Sequence, residues 1–223
     1  MGNFNIISFT DLMRCSSPNV ATAQQNSDIV QELKAPSNGV YIQDVSHKLW
    51  RTEDWDNSVK PNAIAVISDK VRFLVALTQL PSTMRISRHF CEPLEKYMTV
   101  ISDKTAAKAD YDGAGNTAKI LKVIPSTGYA AGYCDAYVFP DGKTKGFLPS
   151  LGQLNLVFQD KAAVNDALSK CGGIAMSSYY WSSTFWGVGD IYRRCWGFSW
   201  SGGGVGYDCL CGTNYVRPFA NFN

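Results

Sequence analysis

Three bulky aromatic residues alternate with two small ones near the C-terminus, and this spacing constrains the fold more than any other feature of the chain. In Trp196-Gly197-Phe198-Ser199-Trp200, a period of two places the aromatic side chains on one face of a β-strand and the small residues on the other. Burial of each aromatic side chain would contribute about 2 kcal/mol. We expect this face to pack against helices. Ser201-Gly202-Gly203-Gly204 would then turn the chain, and Val205 would begin a return strand.

The rest of the chain predicts a mixture of strands and helices. Alternating apolar residues favour strands at 39–45, 63–67 and 71–77, and the short gap between the last two suits a hairpin. Helical patterns cover 118–123 after an Asn116-Thr117 cap, 130–138, 151–158 after an N-cap at Ser150, and 161–169. A closing strand is expected at 214–219. Together these elements predict an α+β fold in which the N- and C-terminal strands share one sheet.

A polar segment precedes this domain. Residues 1–36 are weakly periodic, and the turn-rich run Ala35-Pro36-Ser37-Asn38-Gly39 marks a boundary. We expect residues 1–36 to form an appendage, either an assembly arm or a flexible segment, and residues 37–223 to form one domain. Residues 82–110 show no clear periodicity and are consistent with an insertion.

Composition argues against several classes of function. The net charge of +2 and the absence of a Lys/Arg block argue against a nucleic-acid partner. The apolar runs are too short to span a membrane, and the N-terminus lacks the features of a signal peptide. The seven cysteines have irregular spacing, so we expect buried thiols or incidental loop cysteines and no disulfide scaffold. No metal site, cofactor or catalytic residue is predicted, because the corresponding motifs are absent.

The final 43 residues, Trp181–Asn223, contain no Lys, Glu, Gln or Met, although the first 180 residues contain 29 of them. At that rate about seven would be expected, so chance explains the depletion poorly. Asn codons (AAC or AAT) whose adenines are replaced by any base never encode these four residue types, Trp or a stop. We therefore interpret the tryptophans of the tail as fixed framework. Gly203, Val205, Leu210 and Tyr215 are expected to be further anchors.

The small and polar positions between these anchors are predicted to be replaceable and to form a ligand-binding surface. Every one of them obeys the codon restriction. They are Gly187, Gly189, Asp190, Ile191, Tyr192, Arg193, Gly197, Ser199, Gly202, Gly204, Gly206, Tyr207, Asp208, Cys209, Cys211 and Gly212.

The tail resembles the variable region of proteins diversified by diversity-generating retroelements, which have a C-type-lectin fold. The matching runs are Tyr180-Trp181-Ser182-Ser183-Thr184, the aromatic alternation through Val205, and Tyr215-Val216-Arg217-Pro218-Phe219, with further similarity at 146–154 and 162–168. The resemblance implies mixed or antiparallel sheets, two or three helices and a loop-rich variable region at about 185–213. The calcium-binding triplets of sugar-binding lectins are absent, which argues against a calcium-bridged sugar site.

The resemblance also implies a function. It indicates a non-enzymatic protein that binds an unknown protein or cell-surface ligand, displayed on a phage tail or a bacterial surface without membrane insertion. A phage-type member would be a homotrimer. Tyr192, Arg193 and Arg194 are candidate contact residues. For Arg194, as for Arg217, the favoured alternative is that the side chain stabilises a loop by bonding carbonyls.

Two alternatives remain open. One is an enzyme on the related formylglycine-generating fold, which would need a reactive pair formed by Cys195 with Cys209 or Cys211. The other is an adhesin or fibre tip that recognises a fixed ligand and is not diversified.

Overall fold

The computed structural model describes residues 36–189 and 191–222. Residues 38–223 form one compact unit. The predicted appendage at 1–36 lies outside the described residues apart from Pro36, and so does the candidate residue Asp190. The strands are β1 (Gly39–Asp44), β2 (Leu49–Trp50), β3 (Pro61–Ile67), β4 (Arg72–Ala76), β5 (Tyr179–Gly189), β6 (Tyr192–Ser199), β7 (Val205–Cys209) and β8 (Phe219–Asn221). The helices are α1 (Lys104–Ala107), α2 (Gly113–Leu121), α3 (Ala130–Ala136), α4 (Leu151–Gln159) and α5 (Lys161–Lys170).

One antiparallel sheet has the strand order β2-β1-β3-β4-β8. Its central strand β3 is buried on both faces, with Ile64 and Val66 in one core and the small residues Ala63 and Ala65 in another. The predicted hairpin of β3 and β4 is confirmed, with Ala65 opposite Leu74. The last strand, β8, pairs with β4, so the expected union of the N- and C-terminal strands in one sheet is also confirmed.

The helices connect this sheet to the C-terminal region. At α4 the predicted N-cap is confirmed, because the Ser150 and Gln153 side chains form a capping box. Other boundaries were predicted wrongly. Helix α2 begins at Gly113 and not at Ala118, because Asp112 caps it by accepting a hydrogen bond from the N–H of Gly115 at 2.9 Å. The described residues contain five α-helices, whereas the resemblance implied two or three; the short helix α1 has no clear pattern in the sequence.

A second antiparallel sheet, ordered β5-β6-β7, comes entirely from the C-terminal region. Trp196, Phe198 and Trp200 are buried in the core that also contains α4. Trp181 and Cys195 are buried in a different core with residues from 86–98, α2 and α3. The sheet therefore lies between two cores, and residues 82–110 are part of the domain and not a separate insertion.

Two features of this sheet differ from expectation. Strand β5 was not predicted, because its alternation is interrupted at Ser182-Ser183-Thr184, where the pairing with β6 also shifts register. The expected strand at 214–219 is largely irregular. Asn214 and Tyr215 form only single bridges, to Met84 and Tyr180, and the closing strand starts at Phe219.

Candidate ligand-binding surface

The strand register divides the candidate residues between the two faces of the three-stranded sheet. On one face Trp196 lies opposite Tyr207, and on the other Gly197 lies opposite Gly206. Since side chains alternate along a strand, the predicted replaceable positions do not share one face. Tyr192, Tyr207 and Cys209 lie on the face of Trp196, whereas Gly197, Ser199, Gly206 and Asp208 lie on the opposite face.

The aromatic face of β6 passes from the core to the surface. Phe198 and Trp196 are buried, Arg194 is half-buried, and Tyr192 is 39% exposed. At the buried end, Phe158 of α4 packs against Phe198 with ring centres 5.2 Å apart. The exposed end is therefore held by strands whose other end is anchored in the core.

A shallow depression of about 310 Å³ lies at this exposed end. Its volume is at the small end of the range for ligand pockets, enough for one or two side chains of a partner. Two aromatic residues of the lining remain accessible, since Tyr192 is 39% and Tyr207 is 47% exposed. The lining consists of Tyr192, Arg194, Tyr207, Asp208 and Cys209.

Arg194 forms one wall of the depression. Its guanidinium carbon lies 5.3 Å from the ring centres of both Trp186 and Tyr207, a cation–π geometry. The two rings lie 4.4 Å apart, and Tyr207 also meets Trp196 edge to face at 5.6 Å. Arg194 bonds to no carbonyl within the described part of the chain, so the expectation that it stabilises a loop in this way is wrong.

The neighbouring Arg193 instead stabilises a loop. Its Nε and Nη2 donate to the two carboxylate oxygens of Glu95 at 3.1 and 2.6 Å. Its backbone N–H donates to the carbonyl of Phe90 at 2.7 Å. The hydrogen bond from Arg193 holds the pKa of Glu95 below its ordinary value, and the same contact raises the pKa of Arg193. These contacts fix the 90–95 segment against β6.

Two of the candidate glycines are open to substitution. A Cβ atom added at Gly202 or Gly204 would meet no atom within 4 Å. Between them, Gly203 has a φ of +66°, and an added Cβ would lie 2.6 Å from the ring of Phe158. The assignment of Gly203 as an anchor and of its two neighbours as replaceable positions therefore agrees with the space around them.

Four other candidate glycines are more constrained. Gly197 is buried, and an added Cβ would overlap the ring of Tyr179, so it is not the outward-facing position that the alternation predicts. At Gly206 the added Cβ would lie 3.0 Å from the Tyr179 hydroxyl. At Gly187 it would meet Val100, and at Gly212 it would overlap the Asp208 carboxylate. Side chains at these positions would require a neighbour to move.

The remaining candidates lie around the edges of the sheet. Ile191, at the β5–β6 turn, is 59% exposed, and Gly189 pairs with Tyr192 at the end of β5. Ser199 is half-buried, with its hydroxyl 3.3 Å from that of Ser201. Asp208 is exposed and accepts a hydrogen bond from the N–H of Cys209 at 2.7 Å. All four therefore border the exposed end of β6 or its turns.

The cysteines differ from expectation at one point. Cys209 and Cys211 form a disulfide, so the prediction of free thiols is wrong for this pair. Cys195 is buried on the face opposite Cys209, because Cys209 lies across from Arg194. Burial raises the pKa of Cys195 well above its ordinary value and keeps the thiol protonated. The reactive pair that the enzyme alternative requires is therefore not formed.

Three residues near the depression were not among the positions predicted to form the binding surface. They are Arg194, Trp186 and Phe90, whose ring packs against Tyr192 at 4.8 Å. The period of two could have found Arg194, since it places Arg194 on the same face as Tyr192 and Trp196. Phe90 comes from a segment about 100 positions earlier, and no local pattern links it to β6.

The described residues contain no group of three or more His, Cys, Asp or Glu side chains that could hold a metal ion. Across 36–189 and 191–222, no helix combines the length and apolar character needed to cross a bilayer. Comparison of the chain with protein-family models, curated proteins and solved structures found no match.

Proposed function

We propose that this protein is a non-enzymatic ligand- or receptor-binding protein with a C-type-lectin fold. Its contact surface is the exposed end of the β5–β6–β7 sheet with the adjoining turns. One observation carries the proposal: the same strand is buried at Phe198 and exposes Tyr192 beside an aromatic-lined depression. A rigid base with exposed Tyr, Ser and Gly positions is the arrangement by which antibody loops bind their targets.

Several features support the lectin-type fold. The chain is α+β with antiparallel sheets, its first and last strands lie in one sheet, and its C-terminal region forms a separate three-stranded sheet. The resemblance of the tail to retroelement variable proteins also implies antiparallel sheets, although the region expected to be loop-rich, about 185–213, is mostly strand in β5, β6 and β7. These features agree with the fold without depending on any single motif.

We further propose that the exposed positions are diversified by mutagenic reverse transcription and that the protein is displayed on a phage tail or a bacterial surface. Support comes from the depletion of Lys, Glu, Gln and Met after Trp181. Gly202 and Gly204 add to it, because they obey the codon restriction and have open space for larger side chains.

The binding surface can be tested by replacing Tyr192 and Tyr207 with Ser and Asp208 with Asn in one variant. The fluorescently labelled protein and the variant are compared on a panel of intact bacterial strains by flow cytometry. We expect an unchanged fold, because these side chains are exposed, and loss of cell binding. Tyr97→Ser is the matched control, since Tyr97 is 48% exposed outside the depression. Equal binding by the triple variant and wild type would refute the assignment of this surface.

The diversification is tested on DNA. A copy of the tail's coding segment should lie near the gene, with adenines at the positions where the two differ. The adhesin with a fixed ligand would be favoured if no such copy exists. It would also be favoured if the copy carries all four bases equally at the positions where it differs from the gene.

A further inference from the structure

Arg194 differs from the two other arginines of the C-terminal region. Arg193 is paired with Glu95, and the buried Arg217 donates to the carbonyls of Ala76 and Ile174. Arg194 has no carboxylate within 4.0 Å and donates no side-chain hydrogen bond among the residues that the structure describes. A guanidinium has five N–H donors, so this side chain keeps an unused capacity to bind an anion.

The position of Arg194 is fixed in advance of binding. It lies over the rings of Trp186 and Tyr207, and Tyr207 is itself held by Trp196. A planar guanidinium held by aromatic rings loses little conformational freedom when it pairs with a carboxylate. Because Arg194 is half-buried, its charge is also less hydrated than that of an exposed arginine.

Aromatic rings adjoin the charge. Trp186 and Tyr207 lie next to the Arg194 guanidinium, and Phe90 packs on Tyr192, which lines the same depression. A partner that covers these groups would exclude water from the centre of the contact. Excluding water strengthens an arginine–carboxylate pair, and Tyr with Arg is the composition of protein–protein hot spots.

The lining fits a single acidic side chain better than a polyanion. Arg194 is the one basic residue among the five that line the depression, and Asp208 is the one acidic residue. A phosphate chain or a polyanionic glycan would bring further negative charges toward Asp208 without a cation to match them. One carboxylate can pair with Arg194 while its neighbours contact the two tyrosines.

We propose that the depression binds an Asp or Glu side chain of a protein partner, paired with Arg194 and flanked by an apolar residue that packs on Tyr192 and Tyr207. The carboxylate accepts two parallel hydrogen bonds from the guanidinium. This inference rests on the proposed function and names the chemistry that the surface recognises.

A random library of short displayed peptides tests the inference. The library is selected separately on wild type, Arg194→Gln, Arg194→Glu and the control Arg72→Gln, which removes one exposed arginine from the other sheet. Wild type and Arg72→Gln should enrich Asp or Glu next to an apolar residue. Arg194→Gln should lose this enrichment, and Arg194→Glu should enrich Lys or Arg instead. The reversed preference would show that the variant is folded.

A selected acidic peptide is then measured by titration calorimetry against wild type and Arg194→Gln. We expect binding to weaken by at least about tenfold, as for the loss of a charge-assisted hydrogen bond, and the Asp-to-Asn or Glu-to-Gln form of the peptide to show a similar loss. Applying both changes together should cost little more than either alone.

Other outcomes overturn the inference. Equal acidic enrichment on Arg194→Gln, or no acidic enrichment on wild type, would contradict it. If wild type enriches apolar peptides whose binding depends on Tyr192 and Tyr207, the surface binds ligands but the carboxylate assignment is wrong. The cell-binding comparison tests the proposed function separately, so the two failures can be distinguished.

Discussion

Residues of the same type have different roles in the turn after β6. Gly202 and Gly204 face open space, whereas Gly203 has a positive φ and lies against the ring of Phe158. Two neighbouring arginines of β6 also have different surroundings. Arg193 is paired with Glu95, whereas Arg194 lies over aromatic rings. At this scale the neighbours of a residue decide whether it can be replaced.

Gly203→Ala should therefore destabilise the protein by about 1 to 3 kcal/mol, from backbone strain at positive φ and the clash with Phe158. Gly202→Ala should change the free energy of unfolding by no more than about 0.5 kcal/mol, as at an open surface position. Urea denaturation of both variants measures the difference. Equal effects would contradict the assigned roles.

The Glu95–Arg193 pair should make stability depend on pH in the acid range. The pKa of Glu95 is lowered in the folded state, mainly by its hydrogen bond to Arg193. Its contribution is therefore fully present above the ordinary Glu pKa of about 4.3 and is lost as the pH falls through the folded value. Glu95→Gln should be less stable than wild type near neutral pH and approach it below about pH 4.

Urea midpoints measured from neutral to acid pH test this expectation. Glu53→Gln is the control, because Glu53 lies in an exposed 3-10 helix and its carboxylate is 3.9 Å from the Arg51 guanidinium, a longer contact than that of Glu95. If the difference in urea midpoint between wild type and Glu95→Gln stays constant with pH, the Glu95–Arg193 pair does not make stability depend on pH.

At the scale of elements, one helix supports the strand and turn that carry the surface. Phe158 of α4 meets Phe198 at 5.2 Å and Trp200 at 5.5 Å, and Gly203 lies against the same ring. The contact joins the capped helix to the aromatic face of β6. The position of the turn at 200–204 therefore depends on α4.

Phe158→Ala should lower the free energy of unfolding by about 3 kcal/mol, the usual cost of removing a large packed ring. Amides of the 200–204 turn should also exchange faster with solvent, because their support is lost. Phe90→Ala is the matched control and should cost less, since Phe90 is 36% exposed. If the two variants lose similar stability, α4 does not support the turn as described.

At the scale of the whole molecule, Arg217 connects the end of the C-terminal region to the five-stranded sheet. Its guanidinium donates to the carbonyl of Ala76 at 3.0 Å and to the carbonyl of Ile174, and its Nη2 lies 3.3 Å from Oε1 of Gln79. Burial lowers its pKa to about 10, so it remains charged at neutral pH. The expectation that Arg217 bonds carbonyls is confirmed.

Arg217→Ala should destabilise the protein by about 3 to 5 kcal/mol, because it leaves buried acceptors without donors. Arg217→Lys should recover only part of this loss, since an ammonium group lacks the planar fork that reaches separate acceptors. Thermal and urea unfolding of both variants measure the effect. A wild-type Tm for Arg217→Ala would contradict the connecting role.

Patterns that depend on near neighbours in the chain were read correctly from the sequence. The burial of Trp196, Phe198 and Trp200, the cap at Ser150 and the β3–β4 hairpin all follow from periodicity or a short local motif. The depletion of four residue types in the tail is likewise a property of the sequence alone.

Only the tertiary structure decided what surrounds each position of the candidate surface. It showed that Tyr179 covers Gly197 and that Phe90 meets Tyr192. A period of two assigns a residue to a face of a strand, but it does not say what covers that face. Contacts between segments distant in sequence are set by how the sheets and helices pack, and those contacts determine which of the replaceable positions are open.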